Sequence, residues 1–505
     1  MSHPKPTRSN TTRVLPSSTE PAGRGFVDFI GGPPGRHALI GRANWWTPLR
    51  ILLAVAAAFT ALGWLQKANC TRSVMGAGGP VVSWSGNRQY TSGCYTDIVT
   101  LYGSRGLDQL AFPYLHSWQS DGATRYMEYP VLSGVFQWLS AVVARPIHTA
   151  WDAIGLPPVA PGAMYFAVCA FFLAAAWIAA VGLVSNLTGN RVWDTVLMAA
   201  SPLVIVHIYT NFDALSVLAA VAALSLWAHR RPAWAGAAGG LGIALKLWPA
   251  FLLGALVLLC IRHRAWVPMV RMMSGAIIAW IAVNLPIMIL APKGWGEFFR
   301  LNSQRGWEGS TLYAVIAHII GDSTWSGVSP DKAVPHVGVL NVLSFGLLAA
   351  CLVGVAVVVF FSQTPPRVGH IVFLTTLAFL VTNKVWSPQY SLWLVPLMVL
   401  AVPRWRLVFA WGALEAVYWY VRLWQFLPSN QAAPNWLADT LTVVRFGLLF
   451  VMAGLVIREA MGRGSGVDKI REAHGGRDPL AGLLEPRAPG QRDEDLSDAR
   501  AKVKT

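Results

Sequence analysis

The stretch AWAGAAGGLGIALKLWPAFLLGALVLLCI, residues 233–261, decides the fold of this chain. It is apolar apart from Lys246, and arginines flank both of its ends. One long helix would leave one basic end on each side of a membrane, whereas two short helices would keep both basic ends on the inner side. Pro249 supplies the break, because proline cannot donate a helix hydrogen bond. We therefore expect two short membrane helices with Lys246 between them at the outer face.

Similar apolar runs recur along the whole chain. Of its 505 residues, 54% are hydrophobic and only 13% are charged, about half the charged fraction of a soluble domain. Runs of about 17–25 apolar residues are typical of membrane helices. The sequence thus predicts an all-α, polytopic membrane protein with about twelve transmembrane helices within residues 49–457. The expected spans lie near 49–66, 163–185, 193–209, 212–228, 233–245, 247–261, 266–290, 336–361, 368–382, 389–402, 404–424 and 437–457.

The positive charge is distributed as expected for a membrane protein and does not indicate a nucleic-acid partner. The formal net charge is +16, and much of the Lys and Arg lies in the two ends of the chain and in short loops between apolar runs. The positive-inside rule and anionic lipid explain this pattern, so the bilayer is the expected partner. Residues 1–48 and 458–505 are polar and are predicted to be disordered cytoplasmic tails. Both termini are therefore expected in the cytoplasm.

Two polar segments are expected on the outer side, namely the loop 67–129 and the segment 292–335. Cys70 and Cys94 flank a polar, Gly-rich part of the loop and could form a disulfide in an oxidising compartment. The apolar residues 131–144 are too few for a full span. We expect them to form a short helix that does not cross the membrane.

The outer loop contains CYTDIVTLY (94–102) and RYMEYP (125–130), which place Asp97 and Glu128 among aromatic residues. A carboxylate beside apolar side chains at a membrane surface can act as a general base. The alternative is that both acids are solvated loop residues, which are common.

The outer side of the predicted topology also collects three cations, Lys246, Arg305 and Lys384, with the acids Asp213 and Glu308. Such a set suits a reaction in which cations bind phosphate and an acid deprotonates an attacking hydroxyl. Simpler roles are snorkelling for the lysines, a local ion pair for Arg305 and Glu308, and helix capping for Asp213. The sequence has no Walker loop and no metal-ligand spacing.

Six segments then resemble, in order, the motifs of glycosyltransferase family 87. They are DIVTLY (97–102), EYP (128–130), NFDALSVL (211–218), ALKLWP (244–249), RGWEGS (305–310) and NKVWSPQYSLW (383–393). Members of the family are bacterial, polyprenol-phosphate-mannose-dependent mannosyltransferases of the GT-C membrane fold. Each motif is weak alone, and their shared order is more specific.

The resemblance implies a GT-C-like fold and transfer of mannose, with inversion, from a polyprenyl-phosphate sugar donor at the outer face of the plasma membrane. The acceptor would be a glycolipid or glycan. No cofactor is required, though a divalent cation could assist. The alternative function is a transporter or flippase of a lipid-linked sugar.

The resemblance also assigns roles to residues of this chain. Asp97 is the preferred catalytic base and Glu128 the second choice. The donor phosphate would meet Lys246, Lys384 and Arg305. Further substrate-binding residues are expected at Tyr102, Tyr129, Asp213, Glu308, Gln389 and Tyr390.

Overall fold

The computed structural model describes residues 45–120, 122–321, 336–462 and 468–486. Over these ranges the chain is a bundle of helices, which confirms the all-α class. The helices are α1 (Pro48–Thr71), α2 (Arg88–Thr91), α3 (Asp97–Ser104), α4 (Val131–Ala153), α5 (Pro161–Leu187), α6 (Val196–Ala199), α7 (Pro202–His207), α8 (Asp213–Ala228), α9 (Pro232–Leu245), α10 (Pro249–Arg262), α11 (Trp266–Leu290), α12 (Pro292–Gln304), α13 (Leu312–Ile320), α14 (Val337–Phe361), α15 (Val368–Thr382), α16 (Ser391–Ala401), α17 (Trp405–Trp424), α18 (Asn435–Ala460) and α19 (Lys469–Ala473).

The first loop, residues 67–129, contains two small antiparallel hairpins beside its short helices. The first pairs β1 (Ser73–Gly76) with β2 (Gly79–Val82), and the second pairs β3 (Trp118–Ser120) with β4 (Ala123–Arg125). In register, Ser73 lies opposite Val82 and Trp118 lies opposite Arg125. The loop is therefore a folded layer on one end of the helical bundle.

A disulfide and two hydrogen bonds fix this layer to the helices. Cys70, in the last turn of α1, is bonded to Cys94, which confirms the predicted pair. The carbonyl of Gly93 accepts hydrogen bonds from Gln66 Nε2 at 2.6 Å and from Trp419 Nε1 at 2.7 Å. The residues just before α3 are therefore held from both α1 and α17.

Five of the described helices, α1, α5, α11, α14 and α18, are long and apolar enough to cross a membrane. Shorter apolar helices of 10–17 residues include α8, α9, α10 and α15, and the stretch Pro388–Ala401 that contains α16. A polytopic membrane protein is consistent with both sets. The number of about twelve crossings stays a prediction, because the short helices span less than the hydrocarbon core.

The core of the bundle surrounds α16. Every residue of α16 is buried, as are nearly all residues of α15. The largest fully buried side chains include Trp177, Trp248 and Trp386. The N-terminal end of α16 is thus set in a rigid environment, and the residues before it reach the site described below.

The break that the sequence predicts between α9 and α10 is present. Lys246 has an extended backbone (φ −154°, ψ 146°), and the chain resumes a helix at α10. α9 also packs very closely on α11, where a Cβ atom on Gly236 would lie 1.8 Å from the Met272 carbonyl oxygen. One on Gly275 would lie 2.0 Å from the Ala233 carbonyl oxygen. Small residues permit such close helix contacts in membranes.

The helix predicted at 131–144 is longer than expected. α4 continues through Pro146 to Ala153 and is not among the five long apolar helices named above. A proline removes a single helix hydrogen bond, and the polar second half of α4 has other contacts. Arg145, for instance, donates to the Asp108 carbonyl at 2.8 Å. The predicted end at residue 144 was wrong for this reason.

The expected span 193–209 is also interrupted. It consists of a 3₁₀ turn (Gly189–Thr195) followed by α6 and α7. Pro202 begins α7, and Ser201 Oγ accepts a hydrogen bond from the Leu203 N–H at 3.4 Å. A proline with a capping serine before it ends one helix and starts another.

The predicted disorder of 458–505 is wrong for residues 468–486, which pack on the helix ends. Asp468 forms an ion pair with Arg367 at 2.5 Å, and Asp478 Oδ2 accepts the Val368 N–H that begins α15. Leu480 is buried against the bundle. The apolar residues of segment 468–486, and its acids that bind groups of the bundle, give the segment enough contacts to be ordered. The predicted tail 1–48 lies almost wholly outside the described residues.

Candidate active site

A cavity of about 590 Å³ collects most of the residues that the sequence singled out. Its walls come from α3 and the first loop, the α7–α8 link, the α9–α10 break, α12, the segment before α16, and α17. Eight predicted site residues line it: Asp97, Glu128, Tyr129, Lys246, Arg305, Glu308, Gln389 and Tyr390. Three do not belong to its described lining: Tyr102, Asp213 and Lys384.

Asp97 is the first residue of α3 and is held by its backbone. Thr96 caps the helix, since its Oγ1 accepts a hydrogen bond from the Ile98 N–H. The Thr96 hydroxyl also donates to the Tyr209 carbonyl at 2.7 Å, and the Asp97 N–H donates to the Thr210 carbonyl at 2.9 Å. α3 is therefore fixed to the α7–α8 link at the residue that carries the carboxylate.

Two neutral groups donate to the Asp97 carboxylate. The Tyr95 hydroxyl donates to Oδ1 at 2.8 Å, and Asn211 Nδ2 donates to Oδ2 at 2.7 Å. The Asp97 charge raises the pKa of the Tyr95 phenol well above its usual value, so that this group stays protonated and remains a donor. Among the described residues no cation forms an ion pair with Asp97. The carboxylate is thus oriented and still able to accept a proton.

Glu128 has a different environment. Arg105 binds it with two nitrogens, at 2.6 Å and 2.9 Å from its carboxylate oxygens, and lies 4.3 Å from the centroid of the Trp118 ring. A carboxylate in a bidentate ion pair is a weaker proton acceptor than one held by neutral donors. This geometry favours Asp97 over Glu128 as a base.

Lys246 projects from the helix break into the same cavity. Its Nζ atom lies 3.6 Å from Asp213 Oδ1 and 3.4 Å from Asn211 Oδ1. It also lies 5.3 Å and 5.5 Å from the ring centroids of Tyr129 and Tyr390. The side-chain amide of Asn211 therefore connects Asp97 at one end with Lys246 at the other.

Asp213 serves as the buried anchor of this cation. It is 1% exposed, and its Oδ1 also accepts a hydrogen bond from Trp393 Nε1 at 2.8 Å. The Trp393 ring in turn stacks on Tyr390 with centroids 4.2 Å apart. Asp213 thus orients Lys246 from behind the cavity wall, and the residues 389–393 carry part of the same network.

The third predicted cation, Lys384, also lies behind the wall. Its Nζ atom donates to the Arg305 carbonyl and to Asn341 Oδ1. Burial lowers the pKa of Lys384 to about 8. The Lys384 carbonyl accepts the Glu308 N–H at 2.9 Å, and the Arg305 and Glu308 side chains lie 3.9 Å apart. Lys384 therefore supports the backbone that carries Arg305 and Glu308.

Tyr102 points away from the cavity. Its ring stacks on Tyr165 of α5 with centroids 4.7 Å apart. Tyr129, by contrast, lines the cavity and its hydroxyl oxygen accepts a hydrogen bond from Asn211 at 2.7 Å. The sequence predicted both Tyr102 and Tyr129 as substrate-binding residues, and of these two Tyr129 lines the cavity.

Sequence reasoning missed several lining residues, namely Tyr95, Arg105, Asn211, Trp419 and Arg422. Tyr95 and Asn211 stood within the quoted motifs, and their proximity to acids was the available signal. Arg105 and Arg422 carried no such signal, because their positions depend on how the loop and α17 fold onto the site.

A mostly apolar groove of about 220 Å³ adjoins the cavity between α4, α9, α11 and α12. It shares Tyr129, Pro130 and Phe298 with the cavity lining. Phe299 and Leu247, also in the groove, are about half exposed. The groove therefore runs from the exposed surface of the helical bundle to the polar cavity.

A group of three side chains with metal-ligand geometry occurs elsewhere in the described chain. His370, Glu459 and Asp468 have ligand atoms within 4.8 Å of one another. Arg367 bonds to Asp468 and His370, and Arg404 bonds to Glu459. These acids are already paired with arginines, so the group is explained as an ion-pair cluster.

Comparisons with known proteins add to this geometry. A family model described as Glycosyltransferase family 87 matches residues 127–382, about half of the chain. Among solved structures, the chain is similar to ArnT from Cupriavidus metallidurans bound to undecaprenyl phosphate. The identity is 15% and the TM-score 0.39, over 85% of this chain and 76% of that chain. No curated protein matches the chain in sequence. The family match includes Glu128, Lys246 and Arg305, and begins after Asp97.

Proposed function

This chain belongs to glycosyltransferase family 87, and on that premise we propose that it transfers mannose from a polyprenyl-phosphate donor to a glycolipid or glycan acceptor. The supporting observation is the Asn211 amide, which joins a carboxylate held by neutral donors to a lysine in one cavity. A carboxylate that can take the proton of the acceptor hydroxyl and a cation that can bind the donor phosphate thereby lie side by side. Membership in a family of transferases argues against a transporter.

Lys246 and Arg305 bind the donor phosphate in this proposal. Lys246 lines the cavity and is held in place by Asp213 and two aromatic rings. The Arg305 side chain is 32% exposed and lies 3.9 Å from Glu308, which leaves guanidinium donors for a phosphate. Lys384 contributes indirectly, through the Arg305 carbonyl.

The isoprenoid chain of the donor occupies the apolar groove between α4, α9, α11 and α12. The groove meets the cavity at Tyr129, Pro130 and Phe298, so that the phosphate at the end of the lipid would reach Lys246. The lining of the groove is mostly apolar, so a hydrocarbon chain can enter it from the bilayer core without desolvating unpaired polar groups.

The reaction is a single displacement at C1 of the sugar. Asp97 takes the proton of an acceptor hydroxyl as the oxygen attacks C1, and the bond from C1 to the phosphate oxygen breaks with inversion. Polyprenyl phosphate leaves with one more negative charge than the diester had. Lys246 and Arg305 stabilise this developing charge. Asp97 then releases its proton to solvent.

The same proposal puts the cavity at the outer face of the plasma membrane and both termini in the cytoplasm. The Cys70–Cys94 disulfide supports this orientation, since disulfides persist in oxidising compartments. The proposed displacement uses no metal. Transfer should therefore continue in EDTA, and a loss of at least about tenfold that Mg²⁺ or Mn²⁺ restores would show that a metal is needed.

The direct test is transfer of labelled sugar from polyprenyl-phosphate-mannose to a membrane glycolipid extract. Purified wild type, Asp97→Asn and Glu128→Gln are compared under identical conditions. We expect wild-type transfer, a loss of about 10²–10⁴-fold in Asp97→Asn, and a loss within about tenfold in Glu128→Gln.

Other outcomes would change specific parts of the proposal. Full activity of Asp97→Asn with loss in Glu128→Gln would move the base to Glu128. Transfer from a polyprenyl-phosphate-arabinose donor alone would change the sugar. No transfer from either donor by folded wild type would refute the proposed reaction.

A further inference from the structure

A lysine lies within the first membrane helix. Lys67 belongs to α1, and its side chain is 0% exposed. A buried ammonium group is unfavourable unless each of its N–H groups has an acceptor. Ionisable residues inside membrane helices also tend to serve function. The contacts of Lys67 therefore need an explanation.

All three N–H groups of Lys67 have acceptors. Its Nζ atom donates to the Tyr95 carbonyl at 2.9 Å, the Val206 carbonyl at 3.0 Å and the Thr210 hydroxyl at 3.2 Å. It also lies 4.9 Å from the centroid of the Trp419 ring. All three acceptors are neutral groups of the folded chain.

The acceptors belong to the two segments that hold Asp97. Tyr95 donates its hydroxyl hydrogen to Asp97 Oδ1, and the Thr210 carbonyl accepts the Asp97 N–H. Asn211, which follows Thr210, donates to Asp97 Oδ2. Lys67 thus joins, from inside the bundle, both segments that orient the carboxylate.

We propose that Lys67 is a positioning residue for sugar transfer. It holds the Tyr95 and Thr210 segments around Asp97 and thereby fixes the direction of the carboxylate. The inference rests on the proposed function, in which Asp97 is the base. Lys67 is not part of the described cavity lining, so this role is exerted without contact to the substrates.

Other titratable groups share these surroundings and must stay constant in a test. Tyr95, Tyr129 and Asp213 interact electrostatically with Asp97, and His207 does so with Lys67. Because Lys67→Met removes the hydrogen bonds that hold the Tyr95 segment, Lys67→Arg is the variant that keeps a cationic donor beside these groups.

The experiment measures kcat and KM separately for wild type, Lys67→Met, Lys67→Arg and Gln66→Leu, with polyprenyl-phosphate-mannose as donor. Lys67→Met removes the charge at similar length, and Lys67→Arg keeps it. Gln66→Leu is the matched control, since Gln66 holds the same segment from the same helix through a neutral bond to the Gly93 carbonyl. Thermal unfolding and donor binding are measured for each variant.

We expect Lys67→Met to lose about tenfold or more in kcat, with donor affinity unchanged. Lys67→Arg keeps a cationic donor at this position and should keep kcat close to that of wild type. Gln66→Leu should lose less kcat than Lys67→Met, because it removes one neutral hydrogen bond and not three.

The remaining outcomes separate this inference from the function on which it rests. If wild type transfers sugar, Asp97→Asn does not, and Lys67→Met either keeps the wild-type kcat or loses kcat and donor affinity together, the positioning role is overturned and the function stands. If wild type itself does not transfer, the proposed function fails first. If both Lys67 variants fail to fold, Lys67 is a structural anchor and the proposal is overturned.

Discussion

Replacement of Asn211 by Asp should disable the base without changing the shape of the site. The amide nitrogen of Asn211 now donates to Asp97 Oδ2 at 2.7 Å and to the Tyr129 hydroxyl at the same distance. In Asn211→Asp an oxygen takes the place of that nitrogen. Two carboxylates would then face each other where a carboxylate and a donor face each other now.

The magnitude follows from that distance. Two unit charges 2.7 Å apart repel by about 6 kcal/mol at an effective dielectric constant of about 20. Since one pKa unit corresponds to about 1.4 kcal/mol, the pair would retain one shared proton over about four pH units. At neutral pH Asp97 would already share a proton with the new carboxylate and could not accept one from the acceptor.

The assay is kcat/KM between pH 5 and pH 9 for wild type, Asn211→Asp and Asn211→Ala. Asn211→Asp should lose about 10²–10⁴-fold at pH 7 and regain activity towards pH 9. Asn211→Ala loses one hydrogen bond to a charged group, about 1.5–3 kcal/mol, and should fall about 10–100-fold at every pH. A wild-type profile in Asn211→Asp would refute the assignment of Asp97 as the base.

Three further changes test other parts of the site and its support. Lys246→Met should raise the KM for the polyprenyl-phosphate donor about 10–100-fold, because a charged hydrogen bond to phosphate is lost; an unchanged KM would remove Lys246 from the donor site. Loss of the Cys70–Cys94 disulfide in the Cys→Ser double variant should cost about 3 kcal/mol of stability, seen as a lower Tm in detergent, and an unchanged Tm would contradict this. Burial holds the pKa of Lys384 at about 8, below its value in the unfolded chain, so the unfolded state binds more protons between about pH 8 and 10.5. Stability should rise with pH across that window, and Lys384→Met should remove this rise in thermal unfolding.

The sequence predicted the helical class and the break at Lys246 because both depend on local features. Apolar runs, flanking arginines and a proline are readable without knowledge of neighbours. The break before α7 was missed although Ser201 and Pro202 gave a local signal for it. The C-terminal end of α4 was missed, since it depends on contacts such as that between Arg145 and Asp108. The order in residues 468–486 was missed for the same reason, because its acids meet partners that are distant in sequence.

For the site, the motifs identified side chains but not which of them face the cavity. Asp97, Lys246 and Arg305 line it, whereas Lys384 and Asp213 support it from behind. Such a distinction requires the direction of each side chain, which spacing in a loop does not give. Lys67 could not be found from the sequence, because its role depends on segments that meet it only after folding.

The close contact of α9 with α11 has a consequence for how the protein is made. α9 and α10 have 14 residues each, about 21 Å of helix, and the hydrocarbon core of a bilayer is about 30 Å thick. Neither helix can partition stably on its own as it leaves the insertion machinery. α11 is 25 residues long, and Gly236 and Gly275 let α9 press directly against its backbone. The three helices should therefore enter the bilayer as one unit, and bulk at Gly236 should reduce the yield of inserted protein before it affects turnover.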